Sequence, residues 1–149
     1  MGTSWDAALR YLGQRAHSEA ELRVKLGRRF EPDEVEVAIE RLHRADLLDD
    51  AQFGEDYARS LLNSGKSKRA VASKLQSKGL EDALIDQILR EYPDSDEFDR
   101  ALALAESRIE KMLDLPKETQ TRRLLAYLGR RGFSEGICYA AVRRAGNGA

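Results

Sequence analysis

Between residues 59 and 78 stand six cations and no carboxylate: Arg59, Lys66, Lys68, Arg69, Lys74 and Lys78. A run of one sign attracts phosphates through counterion release, or carboxylates through charge-assisted hydrogen bonds. Shorter basic clusters recur at Arg28-Arg29 and Arg130-Arg131, and these ten residues form the candidate partner-binding or DNA-binding set. The stretch 93–118 has the opposite sign, with eight acids against Arg100, Arg108, Lys111 and Lys117. The whole chain nearly balances, with 25 Lys+Arg against 26 Asp+Glu. Any electrostatic steering must therefore come from polarity along the chain rather than from net charge. A solvated helix face accounts for such a basic run as readily as a binding surface does. Helical geometry also divides it: with Val71 and Leu75 facing a core, Lys74 and Lys78 share one flank while Arg69 projects to the other side.

Residues for catalysis are sparse. His17 and His43 belong to no HExxH pair, and the chain has neither a phosphate-cradling glycine loop nor a nucleophile elbow. Cys138 is the single cysteine, so neither an internal disulfide nor a cysteine zinc site can form. The reading is a non-enzyme with no cofactor and no metal. The start, residues 1–11, lacks a basic and apolar leader pattern, and no apolar run approaches the roughly 20 residues that cross a bilayer. A cytoplasmic protein without membrane contact is expected.

The elements that position these residues should be helices. Twenty Leu and nineteen Ala stand against five Val, five Ile and three Thr, a composition that disfavours sheet and predicts an all-α fold. Pro32, Pro93 and Pro116 sit beside charged residues, where helix starts and linkers place proline. Gly65, Gly79 and Gly132 each follow a helical apolar pattern, as left-handed C-terminal glycines do. Ser18 and Glu21 have capping-box spacing, while Asp50, Asp94 and Ser134 are further candidate caps. Asp49 and Asp50 read as helix-start residues rather than ligands, and Phe53 and Tyr57 as an i,i+4 pair that packs between modules. Trp5 reads as an N-terminal packing anchor.

A repeat organises the chain. Leu22, Leu26 and Phe30 align with Val71, Leu75 and Leu80, and again with Leu124, Leu128 and Phe133, so the central leucines lie 49 and 53 residues apart. Val35 and Ile39, Ile85 and Leu89, and Cys138 and Val142 follow at i,i+4 spacing on the next helix. Cys138 thus holds the position of a buried hydrophobe. A basic turn joins the two helices of each unit, at Arg28-Arg29, Lys78-Gly79 and Arg130-Arg131-Gly132, and another amphipathic helix precedes them. Three tandem three-helix repeats result, at residues 1–48, 49–92 and 93–149. Each is too small to bury a large core alone, so an elongated, curved array is expected. The segment 92–96 reads as a flexible joint, the first helix of the third repeat as the longest, reaching about Leu115, and the tail from Gly146 as frayed.

Four motifs in order carry a resemblance that covers about Ala8 to Val142. They are Ser18-Glu19-Ala20-Glu21-Leu22 with Lys25-Leu26; Leu47-Leu48-Asp49-Asp50 with Phe53 and Tyr57; Gly65 leading to Lys74-Leu75 and Lys78-Gly79-Leu80; and Arg130-Arg131-Gly132-Phe133-Ser134. In this combination the chain resembles the RecX family. The resemblance implies three tandem three-helix repeats and a regulator of the RecA recombinase. Such a regulator binds the groove of the RecA filament on single-stranded DNA and limits its growth, ATPase and strand exchange in repair and recombination. RecA is the implied partner, with weak single-stranded DNA contact besides, and a monomer is expected. The rival reading is a helix-turn-helix-like repeat protein that grips DNA phosphates directly, whose signature would be steeply salt-dependent binding.

Overall fold

The Leu- and Ala-rich sequence folds as its composition predicts. The computed structural model describes residues 2–147, and among them every regular element is helical. The elements are α1 (Ser4–Gln14), α2 (Glu19–Gly27), α3 (Pro32–Arg44), α4 (Asp50–Asn63), α5 (Lys68–Ser77), α6 (Asp82–Arg90), α7 (Ser95–Ile109), α8 (Lys117–Arg130) and α9 (Glu135–Asn147). A 3-10 turn, Glu110–Met112, follows α7. Consecutive triplets of helices make three repeats. Leu26, Leu75 and Leu128, the equivalent central positions, are all fully buried. Val35, Ile39, Ile85, Leu89, Cys138 and Val142 are buried on the third helix of each triplet, as the i,i+4 pattern requires.

The helix ends are specified locally. Ser18 and Glu21 form the capping box of α2, and the Ser134 Oγ accepts the Ile137 N–H at the start of α9. Gly65, Gly79 and Gly132 adopt left-handed φ values of 90°, 83° and 98°. Asp46, with φ 55°, is a left-handed position that spacing did not reveal.

Several expectations need correction. Asp49, not Asp50, caps α4, by accepting the Gln52 N–H at 3.1 Å. Asp94 makes no side-chain cap bond to α7. Its carboxylate instead receives the Lys68 ammonium at 3.0 Å, and the same ammonium donates to the Tyr92 carbonyl at 2.6 Å. The segment 92–96 is therefore tied down rather than a free joint. Helix α7 ends at Ile109, short of Leu115, although at 15 residues it is the longest helix among the described residues. Gly146 and Asn147 are still helical, and the rest of the expected frayed tail lies outside the described residues.

The helices gather into two compact units: residues 1–58 with 74–88, and residues 59–73 with 89–149. The division passes through α4 and α5, so the second repeat contributes to both. In the first unit Leu22, Leu26, Val35, Ile39 and Leu42 form the centre, with Trp5 packed against it and the Arg41 guanidinium 4.0 Å from the Trp5 ring centroid. In the second unit Leu124, Leu128, Phe133, Cys138 and Val142 form the centre. Burial raises the Cys138 thiol above its ordinary range, as a packed side chain rather than a reactive one.

Candidate functional site

Each unit is closed by the same device, built on the start of a repeat's middle helix. In the first unit the Ser18 hydroxyl accepts the Glu21 N–H at 3.1 Å and donates to the Lys78 carbonyl at 2.5 Å. The Glu19 N–H, one of the donors that a helix N-terminus leaves unsatisfied, is taken by the Asp50 carboxylate at 2.9 Å. Gly79 lies so close that an added Cβ would fall on the Cβ of Ala20. In the second unit the Ser67 hydroxyl accepts the Ala70 N–H at 3.0 Å, and the Ser67 N–H donates to the Arg131 carbonyl at 3.0 Å. Here the Lys68 N–H is taken by Glu97 at 2.9 Å, and a Cβ on Gly132 would fall on the Ser67 hydroxyl. Ser18 and Ser67 are 49 residues apart, the repeat period itself. In both units the cap of one repeat is sealed by the first helix and the basic turn of the next.

This device decides which basic residues are engaged inside the molecule. Lys78 pairs with Glu21 at 3.0 Å and lies 5.6 Å from the Tyr57 ring centroid. Arg15 pairs with the same carboxylate at 2.9 Å. Burial alone would raise the Glu21 pKa, but the bonds from Arg15, the Ser18 amide and Lys78 outweigh it and hold the carboxyl at about 2. Lys68 is tied to Tyr92 and Asp94 as described. Arg69 donates to the Gly132 carbonyl at 3.1 Å. Arg131 donates to the Ser64 carbonyl at 2.7 Å and lies over Tyr127.

The other candidates face outward or partly so. Arg28, Arg29, Arg59, Lys74 and Arg130 are exposed, and Lys66 is half-buried. Arg28, Arg29, Lys74 and Lys78 belong to the first unit, while Arg59, Lys66, Lys68, Arg69, Arg130 and Arg131 belong to the second. The first repeat's basic turn differs from its two counterparts, because it has no preceding cap serine to seal. Arg28 lines an open cleft of about 280 Å³ with Val24, Lys25 and Ser77, and Val24 is 59% exposed. Lys74 lies in the last turn of α5, one turn before Ser77, the helix's final residue, and Lys78, which follows it.

Other polar groups of the first unit serve structure. His17 is buried, its Nδ1 2.9 Å from the Arg15 carbonyl and its Nε2 2.8 Å from the Lys25 ammonium. Burial, chiefly, lowers its pKa, so the ring stays neutral, with Nδ1–H donating and Nε2 accepting. His43 and Arg23 both pair with Glu19. Among the described residues no three His, Cys, Asp or Glu side chains are placed to hold a metal ion. Phe53 and Tyr57 meet edge to face at 5.7 Å and line a cleft with Arg15 and Ala16, so they do pack where two repeats meet.

Sequence reasoning missed one basic cluster. Arg108, Lys111, Arg123 and Arg130 converge on a cleft of about 410 Å³ in the second unit. Arg123, Tyr127 and Arg130 have i, i+4, i+7 spacing on α8, a signal available in the sequence.

Known proteins match this architecture repeat by repeat. Residues 5–42 match the first three-helix domain of RecX, residues 49–89 the second, and residues 94–142 the third. The chain belongs to the RecX family. It is 37% identical over 143 residues to the regulatory protein RecX of Mycolicibacterium smegmatis, covering 92% of this chain and 76% of that one. It is 36% identical over 137 residues to the regulatory protein RecX of Mycobacterium avium, covering 90% and 79%. The crystal structure of RecX from Lactobacillus salivarius superposes with a TM-score of 0.79 at 23% identity over 96% of this chain and 94% of that one, a likeness of fold. The three RecX domains coincide with the three helix triplets. No helix among the described residues is long and apolar enough to cross a membrane.

Proposed function

We propose that this RecX-family chain regulates a RecA-type recombinase by binding its filament on single-stranded DNA, limiting filament growth, ATP hydrolysis and strand exchange. The observation that carries this reading is the match of all three RecX domains, in order, to the three repeats. The geometry favours particular contacts within that reading. Lys68, Lys78, Arg69 and Arg131 make intramolecular bonds, whereas Arg28 shares a cleft with the exposed Val24, and Arg29 and Lys74 of the same unit are exposed. That surface suits a protein partner offering carboxylates around an apolar contact. The rival in which all three basic turns grip DNA phosphates has less support, since two of those turns are engaged in closing the units.

The test is DNA-dependent ATP hydrolysis by RecA titrated with this protein and with an Arg28→Glu/Lys74→Glu variant. Lys78 is left alone, because its reversal would put two carboxylates together at Glu21. The variant should melt like the wild type and require at least about tenfold more protein for the same effect. A wild-type protein without effect on RecA would end this reading. Unchanged potency of the folded variant would move the contact surface elsewhere.

A further inference from the structure

A cleft lies between the end of α7 and α8. It is lined by Arg108 from α7, Lys111 and Met112 from the 3-10 turn, and Arg123, Tyr127 and Arg130 from α8, with no carboxylate in its wall. All four cations are exposed. Among the described residues none of them forms an ion pair. In the first unit, by contrast, Arg15, Arg23 and Lys78 each hold a carboxylate. Four like charges facing one hollow repel one another, and only a multiply charged anion relieves all four at once.

From this arrangement we infer that the cleft is a binding site for a compact polyphosphate group, such as the triphosphate of a nucleotide. Three of the four cations are arginines, whose planar forks match phosphate oxygens two at a time. The charges converge on one hollow of about 410 Å³ rather than following a track, which suits phosphates linked directly to one another better than the spaced phosphates of a strand. The cleft does not read a base. Its one aromatic ring, Tyr127, already has the Arg108 guanidinium 4.4 Å and the Arg131 guanidinium 4.8 Å from its centroid. Stacking over that ring holds Arg108 at the cleft wall and leaves recognition to the phosphates. The site is separate from the recombinase contact proposed above, which rests on Arg28, Arg29 and Lys74 of the first unit, whereas every residue of this cleft belongs to the second.

The experiment is isothermal titration of the whole protein, without RecA, at about 0.15 M salt, where exposed charge pairs are screened beyond roughly 8 Å. The probes are inorganic tripolyphosphate, ATP and a single-stranded oligothymidylate. Tripolyphosphate and ATP should bind saturably, one per chain, with affinities within about threefold of each other, since the base adds little. Arg123→Gln/Arg130→Gln should weaken both at least about tenfold without lowering the melting temperature. Should that pair disturb α8, Arg108→Gln/Lys111→Gln tests the opposite wall in the same way. Arg143→Gln, outside the cleft, should change nothing. Absence of saturable tripolyphosphate binding overturns the inference, as does binding that survives both double variants. Displacement of tripolyphosphate by the oligonucleotide at far lower phosphate concentration would also overturn it, by making the cleft part of a strand-binding surface.

Discussion

The two units of this protein close by the same contact executed with different atoms. In the first, a serine hydroxyl reaches the carbonyl of the next repeat's basic turn, and an aspartate takes the free amide of α2. In the second, a backbone amide reaches the equivalent carbonyl, and a glutamate held by Arg100 takes the free amide of α5. The difference extends to the cations around each lock. In the first unit Arg15 and Lys78 converge on Glu21, whereas Arg69 and Arg131 of the second unit donate to backbone carbonyls. A repeat protein therefore preserves the geometry of its junctions while the chemistry drifts. The third repeat shows that the device belongs to junctions. Where Ser18 and Ser67 stand in the register, it has Gln120, whose side-chain amide donates to Met112 and Leu115 carbonyls of its own repeat. Those bonds tie the preceding turn to α8 without capping it, and α8, which begins after Pro116, has no side-chain cap bond.

The glycines test the comparison most severely. Gly79→Ala and Gly132→Ala each combine a left-handed backbone with a Cβ that collides with the neighbouring helix start. Each should destabilise by about 3–5 kcal/mol in chemical denaturation, from backbone strain plus forced separation of the junction. Gly65→Ala has the same backbone problem, but its Cβ meets only side-chain ends of Arg131 and Leu104 at 3.0–3.2 Å, so about 1–2 kcal/mol is expected. Equal losses at all three positions would mean that backbone strain, not close approach, dominates, and the shared junction would lose its meaning.

Acid should separate the units next. The folded pKa of Glu21 lies at about 2 against an ordinary 4.5. The folded state thus binds this proton less readily than the unfolded chain. Its stabilisation is fully present above about pH 4.5 and disappears as pH falls towards 2. It amounts to on the order of 2 kcal/mol, since each tenfold difference in proton affinity between the folded and unfolded states corresponds to about 1.4 kcal/mol and the site is partly solvated. Asp50 works against it, because burial raises its pKa in the folded state. Comparing wild type with Glu21→Gln isolates the Glu21 share. The variant should be less stable at pH 7, and its stability should change less between pH 5 and pH 3. Parallel pH curves for the two proteins would show that the Arg15–Glu21–Lys78 cluster contributes little.

How much of this was legible follows from what is local. The period, the buried leucines at 26, 75 and 128, the left-handed glycines and the Ser18 capping box lie within one or two helical turns of the residues that signal them. Asp50 sealing Glu19 and Glu97 sealing Lys68 span 31 and 29 residues, and only the packing of one repeat on the next brings them together. Lys78 and Arg131 looked available for a partner for the same reason, since their bonds at 57 and 67 residues' separation carry no local mark. The cleft cations were hidden differently. Arg108 and Lys111 sit in a stretch that sums to an acidic charge, and a linear window averages the two sides of a helix that the structure keeps apart.

The two cap serines give the smallest and finest distinction. Ser18→Ala removes a hydroxyl that both accepts from the Glu21 amide and donates to the Lys78 carbonyl, so two groups lose their partner. Ser67→Ala removes one that accepts from the Ala70 amide, while the junction bond to Arg131 runs from its backbone amide and survives substitution. A helix-cap serine is worth about 1 kcal/mol, and a buried carbonyl left unpaired adds a further penalty of similar size. The expected losses are about 2 kcal/mol at Ser18 and about 1 kcal/mol at Ser67. Hydrogen exchange gives the sharper readout. Amides at the start of α2 should lose protection in Ser18→Ala together with those near Gly79, because the junction itself opens. In Ser67→Ala the loss should stay at the start of α5 and leave the residues around Gly132 protected. A spread of lost protection to Gly132 would mean that the Ser67 hydroxyl, not its amide, carries the second junction, and the two units would then close by the same atoms after all.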